Sequence, residues 1–478
     1  MPEAKAPYTT DASDAVIAEL QEILGETGVK TDERSLNKLS KDYYWYSPIL
    51  KPKLENKSAA VAVRPRSVAD LKAVVKIAHR EGLPVSLRGS GTGNYGQMIP
   101  LYKGLLIDLS RMDNAEILED EGVVRAEPGA KLSKIEKLAN PVGLEMRCLP
   151  STWIKASIGG FLCGGSGGIG SITHGGINTG DNVKSVTLLT VEAEPRLVTF
   201  HEREAVKALH TYGTTGIMVG IEMRLGKAVP MQQMIFTADD WETALEFGDA
   251  IARDDNLPKR LVTGFENGVP DYFVPIREYL PEGCAAVFLL VAREQEEAAK
   301  ARGKQAGMTC TYSQPWSNPP QPPYITDYTW NHTTLHALGV DPSITYQQLG
   351  FDPVDFRDQM KTLKDRFGDE ILWHLEWTKG NAKMRMDELK VQVGALPIIK
   401  WVSEERMNEI MNTCHELGVN VANPHTYKLE EGGAHPDIEE KRELKAENDP
   451  RGILNPGKMA TYAFNPFEGR DAASGARH

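Results

Sequence analysis

Three glycine-bearing segments, in a fixed order, constrain this chain more than any other feature. They are Arg88-Gly-Ser-Gly-Thr-Gly-Asn-Tyr95, Ser157-Ile-Gly-Gly-Phe-Leu-Cys-Gly-Gly-Ser-Gly-Gly-Ile-Gly-Ser171 and Gly213-Thr-Thr-Gly-Ile-Met-Val-Gly220. Glycine lacks Cβ and takes positive φ readily, so backbone N–H groups in such loops can approach a ligand closely. A run of these N–H groups forms a concave anion site suited to a diphosphate. A single such loop is weak evidence. Three in series, each beside a β-type apolar run, imply a large diphosphate-bearing cofactor lying along much of a domain.

The flanking pattern is α/β in character. Residues 14–24 read as a helix, and Asp42-Tyr-Tyr-Trp-Tyr46 follows as an aromatic cluster assigned to core packing. Residues 59–65 read as a strand. Ser67 with Asp70 makes a capping box for a helix to residue 80. The strand at 84–88 then feeds the first glycine loop. Further strands are expected at 105–109, 123–127 and 183–191, with a helix at 132–138.

After residue 227 the texture changes. Strand, helix and strand recur at 232–237, 244–253 and 259–263, at 285–291, 294–305 and 308–312, and at 391–395, 404–417 and 420–422. Repeated βαβ units without a phosphate loop predict an antiparallel sheet with helices on one face, covering a substrate. Residues 315–323 read as an ordered loop, 447–458 return to the style of the first domain, and 469–478 are expected to be disordered. The expected fold class is α+β: a two-part cofactor-binding domain with an inserted α+β cap that carries the antiparallel sheet. Its boundaries are 1–227 and 441–478 for the cofactor domain, the latter ending in the disordered tail, and 228–440 for the cap.

Composition narrows the partners. A chain of 478 residues exceeds one ordinary core. A formal charge of −12 argues against nucleic acid or an anionic membrane surface. No apolar run approaches the ~20 residues that span a bilayer. The N-terminal residues lack the apolar core of a secretory signal. Cys148, Cys163, Cys284, Cys310 and Cys414 are dispersed without a Cys-x-x-Cys pair, the pattern of reduced thiols in a cytoplasmic protein rather than of disulfides or a metal site. A homodimer is the base expectation for oligomeric state.

The glycine segments resemble the flavoprotein family typified by vanillyl-alcohol oxidase and p-cresol methylhydroxylase, which includes glycolate-oxidase and D-lactate-dehydrogenase flavoproteins. The strand leading into Arg88-Gly-Ser-Gly-Thr-Gly93 is similar to that family's pyrophosphate loop, and Ile158-Gly-Gly160 with the glycines after it to its second flavin-contacting segment. Residues 213–222 are similar to its Gly-(Thr/Ser)-x-Gly-Ile segment, and Asp449-Pro-Arg-Gly-Ile-Leu-Asn-Pro-Gly-Lys458 to the closing motif of the glycolate-oxidase branch. The resemblance implies FAD in a non-Rossmann fold, and no Gly-x-Gly-x-x-Gly opens a helix here. It places FAD contacts at Arg88, Gly89, Ser90, Gly91, Thr92, Gly93, Asn94 and Tyr95. Further contacts fall at Pro150, Ser157, Gly159, Gly160, Gly164, Gly165, Gly167, Gly168, Gly170 and Ser171, and then at Gly216, Ile217 and Asn455.

Two departures shape the expectation. The first loop has no histidine and no cysteine comes just before the Gly-Gly pair, where Trp153 and its neighbours stand, so FAD is expected to be noncovalent, with Cys163 a small buried residue. The His-rich metal segments of the hydroxy-acid branch are absent, so no metal is expected and a D-2-hydroxy acid is disfavoured.

Oxidising an alcohol or phenol by hydride transfer to flavin N5 needs a proton acceptor. His425, after Asn423-Pro424, and His332, within Tyr328-Thr-Trp-Asn-His332, are the first candidates, followed by Glu376 and Tyr346. In Trp373-His-Leu-Glu-Trp377, alternation sets Trp373, Leu375 and Trp377 against His374 and Glu376. Strand carboxylates usually face solvent. His336 lies one helical turn from His332, and His174 is either a flavin contact or a turn residue. Six of eight tryptophans fall in 228–440, which leans toward an aromatic, phenolic substrate. The leading reading is thus an FAD-dependent alcohol or phenol oxidoreductase. The alternatives are a 2-hydroxy-acid dehydrogenase, with Arg277, Lys379 or Lys400 as carboxylate clamp, and a flavin-binding electron-transfer subunit.

Overall fold

The computed structural model describes residues 9–179, 181–317, 322–380, 390–433 and 437–459. Part of the expected loop at 315–323 and the whole tail at 469–478 lie outside the described residues.

The N-terminal layer is a four-stranded sheet in the order Val29–Lys30, Val61–Val63, Leu105–Asp108, Val85–Arg88. Its last three strands are parallel, and the helix Val68–Glu81 crosses between two of them. Ser67 caps this helix by accepting from Asp70 N at 3.1 Å. The reciprocal bond differs from the capping box expected: Asp70 Oδ2 accepts from Arg66 N, one residue earlier than the cap. Leu71, Val74, Val75 and Ala78 recur at helical spacing and bury against the sheet.

A second, antiparallel sheet runs Ala115–Leu118, Val123–Ala126, Ile217–Lys227, Val183–Leu189, Leu197–His201, with Leu144–Met146 paired to the far end of Ile217–Lys227. The C-terminal segment then returns to the first sheet. Val85 N donates to Ile453 O at 2.7 Å and Asn455 N to Val85 O at 2.6 Å. Asp449 organises this return, accepting from Ile453 N, Leu454 N and the buried Lys445 ammonium.

The third sheet has eight strands, and every pairing in it is antiparallel. Its order is Thr309–Pro315, Met231–Ala238, Ala285–Ala292, Lys259–Phe265, His374–Lys379, Val391–Ala395, Leu349–Phe351, Asn420–Val421. The first two βαβ units interleave, each putting its second strand beyond a strand of the other, the split-βαβ arrangement. The third unit departs from expectation, because Leu349–Phe351 inserts between Val391–Ala395 and Asn420–Val421. The helices Trp241–Arg253, Phe356–Phe367 and Glu404–Glu416 pack on one face with Trp373, Leu375 and Trp377 in a single apolar core.

Two pins hold this sheet to the glycine-rich segment and to the strand Leu144–Met146. Gly170 N donates to Arg260 O at 2.7 Å. The buried Arg260 guanidinium bonds Glu145 at 2.8 Å and Met146 O at 2.7 Å. Burial pushes the Glu145 carboxyl up to about 7, with Arg260 pulling the other way. Among the described residues no helix is long and apolar enough to cross a membrane.

Candidate functional site

The glycine segments converge because their residues touch one another. A Cβ on Gly89 would strike Ser157 Oγ and approach Gly160 Cα to 3.4 Å, so the first loop and the helix Ile158–Gly164 meet backbone to backbone. Asn455 staples the first segment to the third, its Nδ2 donating to Gln97 O at 2.9 Å and to Tyr212 O at 2.6 Å.

Two connected cavities lie along these segments. The larger, about 620 Å³, is floored by Thr92, Gly93, Asn94, Tyr95, Pro150 and Gly160, with Gly164, Gly165, Gly167 and Ser171 further along. The smaller, about 100 Å³, is walled by Arg88, Gly89, Ser90, Gly91, Ser157 and Gly159 and shares Thr92, Gly93, Gly160 and Gly164 with the larger. Gly213 of the third segment also reaches it.

The opposite wall of the larger cavity comes from residues 324–422. His332 Nδ1–H donates to Asp327 Oδ1 at 2.9 Å, which fixes the tautomer and leaves Nε2 as the acceptor on a cavity-lining residue. His336 Nε2 bonds Asp327 O at 3.1 Å and stands 3.7 Å from Oδ2. Burial opposes ionisation of Asp327, but the two histidines outweigh it and hold the carboxyl at about 2. Trp330 has a left-handed φ of 54°, and its N–H donates to Glu376 Oε1 at 2.7 Å. Its indole closes on Gly167, whose missing side chain makes room for it. Gln348 Nε2 donates to the Tyr95 hydroxyl at 2.5 Å, so this wall touches the first glycine segment directly.

Several expectations change in this light. His425 does not line either cavity. It is 4% exposed, with Nδ1 accepting from Ser47 Oγ at 2.8 Å and Nε2–H donating to Tyr346 O at 2.9 Å. Burial holds its pKa down at about 4, so it is a neutral structural histidine. Tyr346 is also fully buried and lines neither cavity, edge-on to Tyr46 at 6.0 Å, and burial pushes its phenol well above the ordinary value.

Glu376 does line the cavity yet is 1% exposed, against the expectation for a strand carboxylate. Thr263 Oγ at 2.7 Å, Trp330 N and His374 Nε2 at 3.0 Å occupy its oxygens, which makes it a positioning residue. Gly168 and Gly170 permit close approach of Leu149 O and Arg147 O rather than facing either cavity. Gly216 packs on Leu188, and Ile217 is a buried strand residue. The Arg88 guanidinium bonds Leu39 O and Lys41 O at 2.7 and 2.8 Å, bracing the loop from behind. His174 is packed near Arg147 and Arg260, and burial with their charges lowers its pKa to about 4. Arg277 and Lys400 are exposed, whereas Lys379 lines the larger cavity, paired with Asp255 at 2.6 Å.

The expected core packing of the 42–46 cluster holds at Tyr44, which joins Leu50, Leu54 and Ile99, but Tyr43 and Tyr46 line the larger cavity and Asp42 the smaller. Tyr43 N donates to Gly93 O at 2.8 Å, docking the cluster on the first loop. Its position, 45 residues before that loop, carried no signal. Asp327, Asn331 and Gln348 were likewise missed, since no motif marks them.

Two features fit a bound dinucleotide. Ser157 Oγ and Asn94 Nδ2 are buried beside the glycines without a hydrogen-bond partner. The Gly89–Gly160 approach leaves a cradle that any side chain would fill. Residues 59–198 match the FAD binding domain family. The chain therefore carries an FAD binding domain, and FAD is its cofactor. It is 28% identical over 203 residues to the glycolate oxidase subunit GlcD of Escherichia coli (strain K12), covering 40% of each chain. It is 25% identical over 162 residues to a D-lactate dehydrogenase of Archaeoglobus fulgidus, covering 34% of this chain and 35% of that one. The matches span 40% or less of the length of these relatives. A solved alkyldihydroxyacetonephosphate synthase shares the fold, with a TM-score of 0.67 over 93% of this chain and 85% of that one at 15% identity.

Proposed function

We propose that the protein is an FAD-dependent oxidoreductase that oxidises a hydroxylated small molecule held between residues 1–227 and a cap formed by 228–440. The observation that carries this reading is the Asp327–His332 pair lining the same cavity as the glycine segments. Backbone N–H groups of the first loop, with Ser157 and Asn94, would hold FAD noncovalently, and burial keeps the Cys163 thiol protonated, pushed up to about 12. FAD supplies the two-electron acceptor for hydride.

The chain's own part is acid–base and positional. His332 Nε2 takes the hydroxyl proton, and Asp327 orients the ring and stabilises the imidazolium that results. Asn331, Gln348 and the Tyr95 hydroxyl form a polar group able to orient the substrate oxygen. Trp330, Tyr43, Tyr46 and Phe161 supply apolar wall, which favours an aromatic alcohol or phenol. A second reading, a 2-hydroxy acid, is favoured by the Lys379 ammonium on the cavity and by the relatives named for glycolate and D-lactate.

The test is an anaerobic challenge of the flavin-loaded protein with aromatic alcohols, alkylphenols and 2-hydroxy acids. Bleaching by one class supports the reading and names the substrate. Flavin-loaded protein that no class bleaches contradicts it and favours an electron-transfer subunit.

A further inference from the structure

The smaller cavity contains one acidic side chain among its lining residues, Asp42, and His332 does not line that cavity. Asp42 is 6% exposed. Its Oδ1 accepts from Tyr44 N at 3.0 Å and the Met98 backbone N–H also favours the ionised carboxyl, while Oδ2 is buried and makes no hydrogen bond of ordinary geometry. A buried carboxylate oxygen without a donor is costly, and folded proteins rarely retain one without a ligand or water as its partner.

The chemistry of the surroundings selects the donor. Ionised, Asp42 repels phosphate oxygens and can only accept, so the group it meets carries a proton. FAD offers ring N–H groups and the hydroxyls of its ribityl and ribose units. The hydroxyl-bearing carbons flank the diphosphate directly, whereas the ring donors lie at the far ends of the molecule. Asp42 sits beside Gly89, Ser90 and Gly91 of the loop that the diphosphate would occupy.

Charge near the loop is also balanced. The Lys458 ammonium is fully buried, donates to Gly96 O at 2.5 Å, lies 4.7 Å from the Tyr427 ring centre, and attracts Asp42. Burial pushes Asp42 up to about 7 and Lys458 down to about 7, while their mutual attraction and the Arg88 charge beside Asp42 favour the ionised pair. A carboxylate balanced by a buried ammonium can stand near a diphosphate without expelling it.

We propose that Asp42 is a cofactor-binding residue whose Oδ2 accepts a hydrogen bond from a ribityl or ribose hydroxyl of FAD. The inference rests on FAD binding and is independent of the reaction and of His332.

The test uses the full chain stripped of flavin and titrated with FAD, with FAD lacking single ribityl hydroxyls, and with FAD carrying deoxyribose in its adenosine half. Flavin fluorescence reports binding, and thermal melting reports folding. The wild type should bind one deoxy analogue on the order of 10- to 100-fold more weakly than FAD, as for a hydrogen bond to a charged group. Which analogue is rejected identifies the hydroxyl as ribityl or ribose. Asp42→Ala should weaken FAD by a similar factor and treat FAD and that analogue alike. If alanine prevents folding, Asp42→Asn decides, because it must discriminate less than the wild type. Wild-type protein that accepts every analogue equally would overturn the proposal. So would variants that bind FAD normally or retain the wild-type discrimination.

Discussion

The two walls of the larger cavity differ in how much main chain they present. In the wall from residues 88–171, Gly93, Gly160, Gly164, Gly165 and Gly167 bring backbone to the cavity among side chains such as Tyr95 and Phe161. The wall from residues 324–422 is side chain, with Glu376 from one strand holding Trp330 from a loop, and Asp327 holding His332 one turn away. A backbone wall tolerates little change in residue type, since each glycine excludes a Cβ. A side-chain wall depends on register and distant contacts, so its members can be scattered.

The sharpest challenge to this contrast is Gly89→Val. Its branched side chain has no room beside Ser157, and the expected product is a folded protein purified without flavin, read from the flavin-to-protein ratio. A full complement of flavin would show that the wall is not backbone-limited.

On the opposite wall, Glu376→Ala leaves His374 buried without its partner and the Trp330 N–H without an acceptor. A buried donor left without its acceptor costs roughly 1–3 kcal/mol, so urea denaturation should give a correspondingly lower unfolding free energy. Glu376→Gln, which keeps an amide oxygen for Trp330, should lose less.

His425→Asn separates structural from chemical histidines. The folded pKa of about 4 lies below the 6.5 of the free side chain, so between those values the unfolded chain binds a proton that the fold refuses. The stability this histidine contributes is fully present above pH 6.5 and declines as pH falls toward 4. The melting-temperature gap between wild type and variant should therefore narrow over that window, with flavin reduction unaffected. A gap independent of pH would contradict the buried neutral state.

The smallest effect is expected at Gly339, in the helix Asn331–Val340, where a Cβ meets nothing within 4 Å. Gly339→Ala should stabilise by about 0.5–1 kcal/mol in the same denaturation assay.

The same contrast explains what could be read without coordinates. Helices and strands with strong periodicity, such as Asp14–Leu24 and Val391–Ala395, matched the expected bounds because local pattern fixes them. The glycine segments were visible because backbone approach requires one residue type. The alternation in Trp373–Trp377 was also legible, setting the core-packed rings against His374 and Glu376. What escaped was the destination of each side chain. Nothing in Asn423-Pro-His425 reveals that Ser47, 378 residues earlier, draws His425 into the interior. Nothing in Asp42-Tyr-Tyr-Trp-Tyr46 shows that a backbone bond to Gly93 turns two of its rings toward the cavity. Gly168, Gly170 and Asn455 belong to the right motifs but act through neighbouring carbonyls, a distinction that only tertiary packing makes.

The central claim is that His332 on the side-chain wall moves the substrate proton. It is tested most directly by the rate of anaerobic flavin reduction in the wild type, His332→Gln and His425→Asn, all loaded with flavin and given the substrate that bleaches the wild type. The account predicts a fall of about 10²- to 10⁴-fold for His332→Gln at unchanged flavin binding, and a near wild-type rate for His425→Asn. A His332→Gln protein as fast as the wild type, or a collapse confined to His425→Asn, would contradict it.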